Sequence, residues 1–124
     1  MVAKLTPNQV RRIEEVTGFI RTVEHVKKLV VELEGNRAAK ATVLNGISSQ
    51  IQRELSQLRQ RAMTANVGTV ADVAGSLAVI AGRAGTGLNL KIRVLNDGVN
   101  SLMMQLDQSL KAAHEPDKTD KKPS

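Results

Sequence analysis

Apolar residues recur every three or four positions along four stretches of this chain, and that period commits it to helices. Val16, Phe19, Val23, Val26, Val30 and Leu33 alternate steps of three and four, with Ile13 and Ile20 widening the stripe. Ile47, Ile51, Leu55, Leu58 and Ala62 hold one nearly straight stripe, and Leu88, Ile92, Leu95, Val99, Leu102 and Leu106 form another. Between these, Val70, Val73, Leu77, Ile80 and Ala84 make a shorter one. Each stripe has to be buried against a neighbour. The expected fold is therefore all-α: an up-and-down bundle of three to four helices with a long N-terminal helical hairpin.

Local signals place the helix ends. Thr6 followed by Pro7 starts the first helix, because the threonine hydroxyl caps orphan amides and proline at the first position loses no hydrogen bond. Gly35-Asn36 ends it. The second helix is expected from about Ala38 to about Met63, folding back antiparallel over a short link. Thr69 with Asp72 resembles a capping pair and predicts a third helix opening near residue 70. A fourth is expected to run to about Ala113, although Leu88, Leu90, Ile92 and Val94 also alternate as a strand would, with Asn96-Asp97-Gly98 as a turn signal. Residues 99–104 do not alternate, so such a hairpin lacks its second strand. Residues 1–113 are thus expected to form one helical domain, and 114–124 a disordered charged tail.

Composition narrows the chemistry. Aromatic residues are 1% of the 124, namely Phe19 alone, so the core has to be filled with aliphatic side chains and methionine. The absence of cysteine removes disulfides and zinc–thiolate sites, and no apolar run resembles a signal peptide or a membrane span. A cytoplasmic protein, with no integral membrane segment, is the expectation. The net charge is +6, and its excess lies on the second helix: residues 1–34 carry +1, 35–66 carry +4, 67–113 carry +1, and 114–124 are neutral.

No motif survives chemical inspection as a catalytic, metal or cofactor site. Gly82-Arg83-Ala84-Gly85-Thr86-Gly87 has the glycine spacing of a phosphate-binding loop, but Leu88 and Asn89 stand where a lysine and a hydroxyl residue are needed. His25 and Lys28 invite comparison with a phosphorelay helix, yet Leu29 would crowd the imidazole, and a surface histidine is the reading adopted. Thr17-Gly18 could turn a helix-turn-helix, but Glu14, Glu24 and Lys27 occupy positions that should be small or apolar. Glu14-Glu15 and Glu32/Glu34 lie among basic residues without a histidine or serine partner set.

The third helix departs from the ordinary. Gly68, Gly75 and Gly82 recur at seven-residue spacing, interleaved with Ala71, Ala78 and Gly85, giving a smooth back of small residues. Each interior glycine weakens a helix by about 0.5–1 kcal/mol relative to alanine, so a close neighbour is expected against this ridge, from another subunit. The functional expectation is a non-catalytic interaction or assembly protein that self-associates through its coiled-coil-like stripes and this Gly/Ala face, a homo-oligomer with a dimer as first choice, whose candidate interface is Gly68, Ala71, Gly75, Ala78 and Gly82. The alternative is a nucleic-acid-associated protein using Lys40, Arg53, Arg59 and Arg61. With no aromatic among them for stacking, that binding would be weak, non-specific and salt-sensitive. Membrane activity of helix 3 ranks third, because Asp72 interrupts it and some fifteen residues cannot span. A further protein partner remains compatible with all of these.

Overall fold

A computed structural model describes residues 5–83 and 87–115 of the protein, and they form four α-helices joined by short links. These are α1 (Pro7–Gly35), α2 (Ala41–Thr64), α3 (Gly68–Gly82) and α4 (Leu88–His114). There is no strand among the described residues, so residues 88–95 are helix and the hairpin alternative falls. Tail residues 116–124, and Ala84 and Gly85 of the third segment, lie outside the described residues.

Each helix packs on the next and α4 closes back on α1, whereas the backbones of the diagonal pairs do not approach closely. Two side-chain contacts set the direction of travel. Arg12 Nη1 donates to the Ala65 carbonyl at 3.0 Å, joining the start of α1 to the end of α2, and Gln9 Nε2 donates to the Glu115 carbonyl at 2.6 Å, joining it to the end of α4. The bundle is therefore up-down-up-down. At about 1.5 Å of rise per residue, the 29 residues of α1 span about 43 Å, whereas the 15 of α3 span only about 22 Å.

The stripes read from the sequence are the core. Val16, Phe19, Val23, Val26, Val30 and Leu33 of α1, all five stripe residues of α2, and Ile92, Leu95, Val99, Leu102 and Leu106 of α4 are buried. Helix α3 differs. Val70 and Leu77 are buried, but Val73 and Ile80 are only half covered, while Ala71, Ala74, Ala78 and Ala81 are sealed inside. The short helix is rotated toward its alanines because α2 comes close on that side, which small side chains allow.

Thr6 accepts from the Gln9 amide at 3.1 Å while the Gln9 side chain accepts from the Thr6 amide at 2.8 Å, a reciprocal cap at the threonine that the sequence marked. Two other starts move. Helix α2 begins at Ala41 rather than Ala38, since residues 36–39 close a turn through the Ala39 amide and the Asn36 carbonyl. Helix α3 begins at Gly68, with Val67 before it and no side-chain cap, so Thr69 falls inside the first turn and the Thr69–Asp72 pair is not used.

The α2–α3 link explains that shift. Asn66 has φ of 64°, its amide donates to the Met63 carbonyl at 3.1 Å, and the Val67 amide donates to the Ala62 carbonyl at 2.8 Å. This crossed pair satisfies the last carbonyls of α2 and turns the chain within two residues. Asparagine tolerates the left-handed conformation; a β-branched residue does not. Asn66→Val is expected to cost about 1–2 kcal/mol in thermal or urea unfolding, and Asn66→Gly to be neutral or mildly stabilising.

Candidate interaction surface

The small-residue ridge of α3 meets a helix of its own chain. Ala71 and Ala78 are 4% and 6% exposed and pack under α2. Gly75 is half-buried, and a Cβ built there would stand 2.8 Å from Arg59 Cδ and 3.0 Å from its Nε. Gly82 is exposed, and its Cβ would stand 2.6 Å from Gln52 Cδ. Gly68 faces open space. The close neighbour anticipated from a second subunit is thus α2, and what covers Gly75 and Gly82 is the outer part of two long, exposed polar side chains.

Where Arg59 and Gln52 lie down, a cleft opens between α2 and α3. Gln52, Ser56, Arg59 and Gln60 form one wall, Asp72 and Ser76 the other, with Gly75 and Ala78 below and Val79 at the lip. Val79 is 57% exposed. It is the apolar member of the otherwise polar outward row Asp72, Ser76, Val79, Arg83, which makes it legible in the sequence. Met63, 52% exposed, continues the α2 row of Ser56 and Arg59 in the same way. Among the described residues, Arg59 and Asp72, on opposite walls, have no ion-pair partner within 4.0 Å. The ion pairs among the described residues are Arg12–Glu15 and Arg37–Glu34, and His25 Nδ1 lies 3.6 Å from the Glu54 carboxylate.

The basic residues of α2 do not make one surface. Lys40 sits before the first turn of α2, at one end of the bundle. Arg53 is exposed on the outer side, and Arg59 lies over α3. Arg61 lines the opposite cleft, between α1 and α2, with Glu14, Glu15 and Thr64 over a floor of Gly18 and Phe19. Residues 59 and 61 point to nearly opposite sides of one helix, so the four charges spread around α2 instead of adding along a single face.

The remaining sequence candidates settle into structural roles. Helix α1 runs unbroken through Thr17-Gly18, which removes the helix-turn-helix. His25 is half exposed and sits 3.6 Å from Glu54, tying α1 to α2, with Leu29 buried one turn on. Gly82 ends α3, and the middle of the glycine-rich string, residues 84–86, lies outside the described residues. No group of three or more histidine, cysteine or carboxylate side chains among the described residues is placed to hold a metal ion. No helix among them is long and apolar enough to cross a membrane.

One glycine that the sequence marks only as part of a turn signal has a packing role. Gly98 belongs to the middle of α4, and a Cβ there would stand 2.6 Å from Cδ1 and 2.9 Å from Cγ of Leu77, which is 4% exposed. Glycine at this position therefore leaves room for the Leu77 side chain between α3 and α4. In the sequence Gly98 is masked by Asn96-Asp97, which makes it look like a turn residue.

Comparison with protein-family models, with curated proteins and with solved structures finds no match to this chain.

Proposed function

We propose that this chain is a non-catalytic helical interaction protein that self-associates, and that the α2–α3 face is where a second copy docks. The observation that carries this is the cleft between α2 and α3, where only the movable ends of Arg59 and Gln52 cover Gly75 and Gly82 and the exposed Val79 stands at the lip, with Met63 exposed further along α2. Swinging two long side chains aside costs little compared with opening a packed core, and leaves a smooth floor on which a helix can settle. A symmetric dimer uses the same patch twice, so the patch must complement itself. Arg59 on one wall and Asp72 on the other satisfy that requirement, since each can reach the opposite residue of the other copy.

The apolar stripes are consumed within one chain, so association adds to a finished bundle. The cysteine-free composition suits a reducing, cytoplasmic setting for such a protein. Nucleic-acid binding through α2 is the weaker reading, because Lys40, Arg53, Arg59 and Arg61 diverge.

Sedimentation equilibrium over a range of concentrations tests the proposal. The expected result is a monomer–dimer equilibrium built on the 13.4 kDa chain, weakened at least about tenfold by Val79→Asp and restored when Arg59→Asp is combined with Asp72→Arg after either alone has weakened it. A mass of one chain at every concentration, or a dimer indifferent to all of these changes, overturns it.

A further inference from the structure

The up-down-up-down path brings the α1–α2 link, the end of α3 and the first turns of α2 and α4 to one end of the bundle. His25 beside Glu54 and Gln52 over Gly82 mark a level on α1, α2 and α3; the half beyond it, taken with the first ten residues of α4, comprises the described residues 26–52, 82–83 and 87–97. The described residues carry a net +4, and all of it falls in that half: seven lysines and arginines against three carboxylates, with seven against seven in the other half. The sequence alone assigned the excess to α2; folding reassigns it to an end of the molecule.

Three large, exposed aliphatic side chains belong to this half: Val31 on α1, 58% exposed, and two in the first turns of α2 and α4. Leu90 is 55% exposed and Val43 is 45% exposed, and each is the third residue of its helix, about 3 Å of axial rise from the tip. Lys40 precedes α2, Arg83 follows α3, and Lys91 and Arg93 lie in the first two turns of α4. Helices α2 and α4 both start here without a side-chain cap and without an acidic residue in the first turn, so their leading amides add to the positive character.

From this arrangement we infer that the link end of the bundle docks on an anionic lipid surface, with lysine and arginine meeting headgroup phosphates and Leu90 and Val43 entering the acyl boundary. A nucleic acid would use the charges but leave two solvent-facing aliphatic side chains at the tip without a role. A bilayer interface uses both, and apolar groups within one helical turn of the tip match the shallow depth of interfacial insertion. The inference is independent of self-association through the α2–α3 face.

Co-sedimentation of the full chain with phosphatidylcholine vesicles, with and without roughly a third phosphatidylserine, tests it. The expected result is binding to the anionic vesicles alone, falling as salt rises. Lys40→Glu with Arg93→Glu should weaken it about tenfold or more, and Leu90→Ser about tenfold, while Arg53→Glu leaves it unchanged. Leu90 and the three charged positions are exposed, and circular dichroism verifies that each variant remains folded. Equal binding to neutral vesicles, or no binding to either, overturns the inference. So does an alternative pattern in which duplex DNA competes, the charge reversals abolish binding and Leu90→Ser has no effect, which would assign the same end to nucleic acid.

Discussion

Alanine at Gly98 is expected to destabilise the bundle by about 1–2 kcal/mol, whereas alanine at Gly75 is expected to leave it unchanged or raise its stability by up to about 1 kcal/mol. Both positions are interior helix glycines, and propensity alone predicts a gain of about 0.5–1 kcal/mol at each. They differ in what the new methyl meets. At Gly75 it meets the Cδ and Nε of Arg59, an exposed side chain that swings into solvent. At Gly98 it meets the branch of Leu77, which is 4% exposed and held between α3 and α4, so the helices must separate or the leucine must leave its rotamer. Overpacking of this kind costs about 1–3 kcal/mol and exceeds the propensity gain. Thermal melts followed by circular dichroism measure the difference, with about 4 °C expected per kcal/mol in a chain of this length. Gly98→Ala melting above the parent protein would show that α3 and α4 are not in contact there.

Leu102→Ala is expected to remove about 2–5 kcal/mol, the largest loss from any single change considered for this protein. Leu102 is fully buried on α4, in an aliphatic core whose one aromatic ring is Phe19. The loss combines the transfer energy of the deleted methyl and methylene groups with a cavity that aliphatic neighbours fill only in part. Leu90→Ala, on the same helix but 55% exposed, is expected to change stability by less than about 0.5 kcal/mol. Urea unfolding of the pair separates the inner and outer faces of α4. Equal midpoints would mean that the face assigned to the core is wrong.

Position by position, what was legible in the sequence is what a helix determines by itself. The period of Val16 to Leu33 and of Ile92 to Leu106 selected the buried faces, because side chains three and four residues apart share a side whatever else the chain does. The same holds for the reciprocal cap at Thr6, which involves residues three apart. The start of α3 was misread although its signals are local: Thr69 looked like a cap, but the crossed hydrogen bonds through Asn66 end α2 so abruptly that helix resumes at Gly68.

Contacts between helices were a different matter. The ridge of Gly68, Ala71, Gly75, Ala78 and Gly82 was evident as a smooth face, but that α2 of the same chain lies against it, with Arg59 and Gln52 across the top, depends on which side of the stripe each neighbour occupies. Gly98 carried its meaning only through Leu77, twenty-one residues away in sequence. The basic residues of α2 looked like a set because they are near in sequence, yet helical rotation sends Arg59 and Arg61 to opposite clefts, while chain direction gathers Lys40, Arg83 and Arg93 from separate segments at one end. The sequence by itself determined the helices and the sides they bury, since those follow from short-range geometry. Only the tertiary structure decided which faces meet and where the surface charge collects, since those follow from the pairing and direction of elements distant along the chain.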